Sequence, residues 1–380
     1  MLTDFAIKNY RSVKDLWLRL DQVTVIVGAN GCGKSNVYRA LELIAKAAEG
    51  ELANSIAEEG GYHSVKWSGP FSKFDKSLVS LSIRTESHQY DIDFTQVNSP
   101  RFNQPYFNND IEIAGERLFK LQGSKKSKIF KRRRVSVEAG NASSGRADYT
   151  NMLDGNRPFI SDIKDPQLYP ALSELRSNLL RWRFYHRFRT DLGSPIRRPN
   201  LPVATLSLNE DGTNLTNAIA TILEIGDREG FLTDFADAFP GTIVTVESKR
   251  SGLALKVKYK SMKRPMNIEE LSEGTLKYLC LLAAFYSLEP PPFLAINEPE
   301  NSLHEDLLEP LARLIVKVSE HSQIWLTTHS QLLADYILEY GGYQDLQLEK
   351  VEGETCLKGV GLAGYREDDD DEDEEEEDAD

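Results

Sequence analysis

Apolar residues along the chain follow two different periods. From Leu2 to Leu20 they alternate with polar neighbours, Phe5 and Ile7 before a turn-forming stretch at Asn9 to Ser12, and Leu16, Leu18 and Leu20 after it. That pattern predicts a hairpin of two short strands. Val23 to Val27 is a continuous β-branched run, as in a strand covered on both faces. A glycine-rich loop follows, then Val37, Ala40, Leu41, Ile44 and Ala45 recur at helical spacing, so the order is strand, loop, helix. Between Ser77 and Phe94 alternation returns (Val79, Leu81, Ile83; Tyr90, Ile92, Phe94) and predicts further antiparallel strands on the same lobe.

Asn98 to Asn200 has scattered Pro, Asn, Gly and basic residues and no sustained heptad, which predicts an inserted region, basic and partly helical, and no long coiled coil. Regularity resumes after Asn209. Helices are expected over Leu215 to Ile225, Leu276 to Leu288, Leu307 to Val318 and Gln331 to Leu338. Strands are expected over Thr242 to Val246, Leu253 to Tyr259, Phe293 to Ile296 and Ile324 to Leu326. Strands alternating with helices imply an α/β fold with a largely parallel sheet.

Composition narrows the class little. The 380 residues, 40% hydrophobic and 27% charged, are ordinary for a soluble protein able to bury a large core. The longest nearly apolar stretch, Leu276 to Leu288, contains Lys277 and is too short for a bilayer, so no membrane span is read. The opening MLTDFAIKNY has no basic segment followed by an apolar one, and a cytoplasmic location is expected. Cys32, Cys280 and Cys356 lie far apart without metal-ligand spacing, which argues against a zinc site or a disulfide framework. The net charge of −14 is concentrated: Glu367 to Asp380 holds thirteen carboxylates, and without them the remainder carries −1. Such a tail cannot fold alone.

Four motifs add chemistry. Gly28-Ala-Asn-Gly-Cys-Gly33-Lys34-Ser35 fits the GxxxxGK[ST] phosphate loop, which makes Asn30, Gly31, Gly33, Lys34, Ser35 and Asn36 the expected nucleotide-binding set. Its glycines let successive N–H groups and a helix N-terminus point at phosphate oxygens, Lys34 neutralises β/γ charge, and the Ser35 hydroxyl ligates Mg²⁺. Leu271-Ser-Glu-Gly-Thr275 precedes an apolar helix, where Ser272 is also a good N-cap. Phe293 to Ile296 is a buried strand ending in Asn297 and Glu298, at the strand end where open parallel sheets bind ligands. His329 follows the strand Ile324 to Leu326 through Thr327 and Thr328.

The order and spelling of these motifs resemble the ABC/SMC superfamily, and within it the RecF-like and OLD-like soluble ATPases linked to DNA repair and anti-phage defence. The likeness is carried by FAIKNYRSVKDLWLRL, VIVGANGCGKSNVYRALELI, LNEDGTNLTNAI, LSEGTLKYLCLLAAF, INEPENSLHEDLLEPL and TTHSQLL. It implies an ABC-type ATPase head with an antiparallel β lobe, its halves at 1–97 and 201–345 flanking the inserted region 98–200, then an extension at 346–366 and a disordered acidic tail at 367–380. It also implies ATP and Mg²⁺ as ligands, Glu298 polarising the attacking water, Ser302, Leu303 and His304 as the D-loop, and His329 on the γ-phosphate. Ser272, Glu273 and Gly274 would reach across a homodimer, or within a higher oligomer, to the partner's nucleotide. A helix N-terminus closing on a triphosphate agrees with this, since a diphosphate offers it less charge.

One departure bears on rate. The family strand ends in Asp-Glu, whereas this chain has Asn297-Glu298, an amide that keeps a place in the metal shell without the charge; slow turnover is expected. The Q-loop has three candidates, Gln89, Gln96 and Gln104. Lys125, Lys126, Lys128, Lys131, Arg132, Arg133 and Arg134 form one basic cluster, and Arg181, Arg183, Arg187 and Arg189 alternate with Trp182, Phe184, Tyr185 and Phe188 in another. Each reads either as a DNA or RNA contact or as a solvated or core-facing element.

The leading functional expectation is an ATP-driven conformational clamp acting on nucleic acid or with a separately encoded effector, a nuclease or toxin, since no second catalytic site is visible. Three alternatives stand beside it: a transporter's nucleotide-binding subunit, an ATP-binding scaffold with little hydrolysis, and a small-molecule kinase. The KNYRS opening and EPENSLH spelling speak against the first, and the kinase would need neither LSEGT nor His329.

Overall fold

The computed structural model describes residues 1–70, 78–97, 109–123, 125–140, 147–148, 154–162, 165–250 and 252–359. Gln104 and the acidic tail lie outside the described residues. The opening hairpin is β1 (Leu2–Tyr10) and β2 (Val13–Arg19), turned through Asn9 and Arg11 in the left-handed region (φ 58° and 50°). β3 (Val23–Val27), buried at every position, leads through the glycine-rich loop into α1 (Lys34–Glu49). Two short helices, α2 (Leu52–Glu58) and α3 (Tyr62–Val65), return the chain to β1.

β4 (Val79–Thr85), β5 (His88–Gln96), β6 (Ile111–Gln122), β7 (Lys125–Arg133), β8 (Ser136–Ala139) and β9 (Ala147–Asp148) then run as an antiparallel meander. With the opening hairpin they form an eight-stranded sheet in the order β2-β1-β4-β5-β6-β7-β8-β9. The region expected as an insertion at 98–200 extends this lobe through β6 to β9. Its helices are α4 (Phe159–Asp162) and α5 (Pro170–Leu179), and β10 (Arg183–Tyr185) already belongs to the second sheet. The alternation of β7 was hidden in sequence because its buried positions are Phe130 and Arg132, the latter a cation among cations.

Next come α6 (Leu215–Ile225), α7 (Arg228–Ala238) and a small sheet of β11 (Ile243–Lys249), β12 (Gly252–Lys258) and β13 (Met266–Asn267). The remainder alternates as expected: α8 (Glu273–Phe285), β14 (Phe293–Asn297), α9 (Leu308–Val318), β15 (Gln323–Thr328) and α10 (Gln331–Gly341). β16 (Asp345–Val351) and β17 (Glu354–Leu357) are the last strands among the described residues. The central sheet runs β10-β14-β15-β3-β16-β17, parallel except for β17. The stretch expected as an extension from 346 is thus in part a sheet strand, with Asp345 opposite Val25.

Side chains on the parallel strands alternate between two cores, as a pleated strand requires. Ile26, Ala295 and Trp325 pack towards α1 and the antiparallel lobe, while Val25, Leu294, Ile296 and Leu326 pack under α6, α8, α9 and α10. A sheet covered on both faces leaves only its strand ends for ligands. No helix among the described residues is long and apolar enough to cross a membrane.

Candidate functional site

The carboxyl ends of β3, β14, β15 and β10 meet at one edge of the parallel sheet, and the expected site residues gather there. Gly31 and Gly33 take positive φ (81° and 113°), which lets the loop curl back over its own helix. Gly33 is the N-cap of α1 and supplies no side-chain cap, so the first N–H groups of the helix are open to an anion. A Cβ at Gly33 would overlap Thr355 Oγ1 of β17, whose hydroxyl also donates to the Cys32 carbonyl at 2.8 Å. The final hairpin therefore backs the loop. Lys34 Nζ folds onto the Gly28 and Ala29 carbonyls at 2.5 and 3.3 Å, and Asn36 Nδ2 donates to Ser12 Oγ at 2.7 Å.

Asn30, Gly31, Gly33, Lys34, Ser35, Asn36 and Glu298 line a cavity of about 140 Å³. Glu298 also lines a larger one of about 850 Å³ with Asn297, Glu273, Lys277, Ser302, His186, Arg187 and Arg189. The carboxylate thus stands between the two. Its backbone is in the left-handed region (φ 48°), where a non-glycine residue is costly and is held by surrounding structure. Lys277 Nζ donates to the Glu298 carbonyl at 2.8 Å, Glu298 N–H donates to the Thr327 carbonyl at 2.8 Å, and Asn301 Nδ2 donates to Glu298 Oε2 at 2.6 Å. Burial pushes the Lys277 ammonium down to about 8, against the pull of Glu300 and Glu298. Asn297 Oδ1 accepts from Thr327 Oγ1 at 2.7 Å.

His329 follows Thr328, the register partner of Val27, and so stands beside the start of the phosphate loop. Its Nδ1 lies 3.0 Å from Glu300 Oε1. Ser272 is the N-cap of α8, with its hydroxyl accepting from Thr275 N–H at 3.1 Å; Ser272 and Glu273 are exposed. Gly274 sits against Ser302, one of the residues expected in the D-loop, where a Cβ would come 2.6 Å from the Ser302 carbonyl. Ser302 and His304 are exposed and Leu303 half-buried.

Two groups of expected residues lie elsewhere. Gln89 and Gln96 are on β5 of the antiparallel sheet, and Gln89 is engaged with Asp91. The strand beside β14 is instead β10, and it is followed by His186, whose ring lies 5.6 Å from that of Tyr38 on α1. Burial, with Arg39 nearby, lowers the His186 imidazole from its usual range. Sequence reading missed this strand because it is three residues long and its aromatics, with Trp182 before and Phe188 after, are core residues rather than a base-stacking surface. Arg197, also missed, is buried and donates to the carbonyls of Thr190, Asp191, Ile268, Glu269 and Leu271, tying the segment after β10 to the residues just before α8. In the other basic cluster, Arg132 is fully buried and has no surface to offer a phosphate. It lies 3.8 Å from the buried Glu116 and donates to the carbonyls of Arg134, Asp154 and Arg157. Lys125, Lys126, Lys128, Arg133 and Arg134 are exposed and Lys131 half-buried, on the β6–β7 hairpin.

Comparison with known proteins agrees with this fold. The chain is similar to an SMC head bound to the C-terminal winged-helix domain of ScpA (TM-score 0.53, 15% identity, 94% of this chain and 97% of that one). It is also similar to a Pyrococcus furiosus SMC head with an extended coiled coil bound to the C-terminal domain of ScpA (TM-score 0.51, 14% identity, 94% and 95%). No curated protein matches it in sequence. At these identities the likeness shows the fold, that of an ABC-type ATPase head. Residues 23–335 match the family described as AAA domain, putative AbiEii toxin, type IV TA system, and the chain belongs to this family of P-loop ATPases related in fold to SMC heads.

Proposed function

We propose that the protein binds and hydrolyses ATP at the strand-end cavity and that two copies close around the nucleotide. The observation that carries this reading is the position of Glu298, a carboxylate lining both the phosphate-loop cavity and the larger one beside it. The uncapped first turn of α1 and Lys34 supply the positive potential a triphosphate needs, and Ser35 and Asn297 would hold Mg²⁺, which offsets phosphate charge. Arg11, Ser12, Asn36 and Trp67 line a cavity of about 520 Å³ next to the loop, suited to the nucleoside. Exposed Ser272 and Glu273 at the N-terminus of α8 are placed for a partner's terminal phosphate.

A slow clock fits this chemistry better than a fast one. Asn297 brings no charge to the metal, and Asn301 draws the Glu298 carboxylate towards its own loop. The family's description as AbiEii toxin of a type IV TA system, and the winged-helix partner of the similar SMC head, support a separately encoded protein as the partner of the closed state. The exposed lysines of the β6–β7 hairpin would add DNA or RNA contact. Phosphate release from Mg-ATP, lost in Glu298→Gln, tests the reading; no release above background from the wild-type chain would overturn hydrolysis.

A further inference from the structure

The loop after β14 carries two carboxylates with unlike surroundings. Glu298 faces the cavities, whereas Glu300 is 7% exposed. Glu300 Oε1 accepts from Thr328 Oγ1 at 2.6 Å and from the His329 backbone N–H at 2.8 Å, and it lies 3.0 Å from His329 Nδ1. Glu300 Oε2 is buried without a hydrogen-bond partner among the described residues. A buried carboxylate with one oxygen unsatisfied is destabilising, and packing alone gives no reason to keep it. Both hydrogen-bond donors and the neighbouring ring nitrogen belong to Thr328 and His329, so what it organises is the end of β15.

Thr328 Oγ1 accepts from Ser330 N–H at 2.9 Å, which directs its own proton to Glu300. An oxygen that accepts from two other donors can meet His329 Nδ1 only if that nitrogen carries a proton. The ring is thereby fixed in orientation, with Nε2 on the side away from Glu300, and the side chain remains 43% exposed. We propose that Glu300 is a positioning residue: it holds His329 as the Nδ1–H form and presents Nε2 to the terminal phosphate of bound ATP. This rests on the ATPase reading above. A carboxylate behind a working imidazole fixes tautomer and orientation without touching the substrate, and the loss of such a partner costs about 10–100-fold in activity.

The test has two arms on the full chain. In ATP hydrolysis, Glu300→Ala should lower kcat about 10–100-fold while KM for ATP moves less than about threefold, and adding Glu300→Ala to His329→Ala should lower kcat no further. Multiplied losses in the double variant would overturn the proposal, since they would mean that Glu300 acts apart from His329. In the second arm, imidazole ¹⁵N resonances should report protonated Nδ1 at His329 in the wild type and a mixture of tautomers in Glu300→Ala. An Nδ1–H form unchanged in Glu300→Ala would also overturn it. Should the alanine variant fail to fold, Glu300→Gln serves in both arms: it keeps an acceptor oxygen, so the Nδ1–H form should persist with a smaller loss of kcat, and a wild-type ring lacking Nδ1–H would refute the assignment. The ¹⁵N arm needs no turnover, so absent hydrolysis in the wild type would sink the ATPase reading while leaving Glu300 to be judged separately.

Discussion

The two large sheets both gather charge, and they use it in opposite ways. At the ends of the parallel strands, Lys34 and Glu298 line open cavities, and the hydrogen bonds of Lys34 are made to backbone carbonyls that could be exchanged for a ligand. In the antiparallel sheet, Arg132 and Glu116 are buried together and saturated: Glu116 also accepts from Tyr90 Oη at 2.9 Å and from the Phe159 and Ile160 N–H groups at 2.6 and 3.0 Å. Burial raises the Glu116 carboxyl and lowers the Arg132 guanidinium, each opposed by the other's charge. A charged residue in a basic run is therefore no guide to function until its satisfaction is known.

That contrast can be broken experimentally. Glu298→Gln should reduce ATP turnover about 10²–10⁴-fold, the usual contribution of a positioned base, without changing the melting temperature. Arg132→Leu should do the reverse, costing about 3–5 kcal/mol in chemical denaturation because Glu116 is left buried and unpaired, with part of the loss recovered in Arg132→Leu/Glu116→Leu. A neutral Arg132→Leu would show that the pair is no anchor of the lobe. Asn297→Asp should raise the steady-state rate at limiting Mg²⁺ by up to about tenfold, roughly 1.4 kcal/mol, as a charge returns to the metal shell. Replacing Lys125, Lys126 and Lys128 with Glu should leave basal turnover unchanged and flatten the salt dependence of nucleic-acid binding by about 0.9 for each phosphate that is no longer neutralised.

The smallest effect concerns Glu42 on α1, beside the cavity that His186 helps to line. Burial, then the nearby Glu210, raise its carboxyl to about 7. A folded-state value above the unfolded one means that the native chain holds this proton more tightly, so stability from this group is full below the ordinary carboxylate range and is lost as pH rises to about 7. Glu42→Gln should remove that portion of the pH dependence, read as a melting temperature that falls less between pH 5 and pH 8. An unchanged slope would mean that Glu42 is ionised at neutral pH in the folded chain.

Most of the parallel half was legible in the sequence. The run Val23–Val27 and the helix start after Gly33 announce themselves through period and glycine placement, and Phe293–Ile296 through unbroken apolarity. β10 was not legible, because three residues are too few to establish a period and its neighbours mix arginine with core aromatics. β7 was not legible either, since one of its inward side chains is Arg132. Glu300 was hidden for another reason: its role depends on the backbone and ring of His329, which only folding brings within 3.0 Å.

ATP-dependent dimerisation of Glu298→Gln, followed by sedimentation velocity with Mg-ATP and with Mg-ADP, tests the central claim most directly. Trapped ATP should give a dimer and ADP a monomer, with Ser272→Arg monomeric in both. A chain that stays monomeric at saturating ATP, or a dimer indifferent to both nucleotide and Ser272, would contradict the shared pocket.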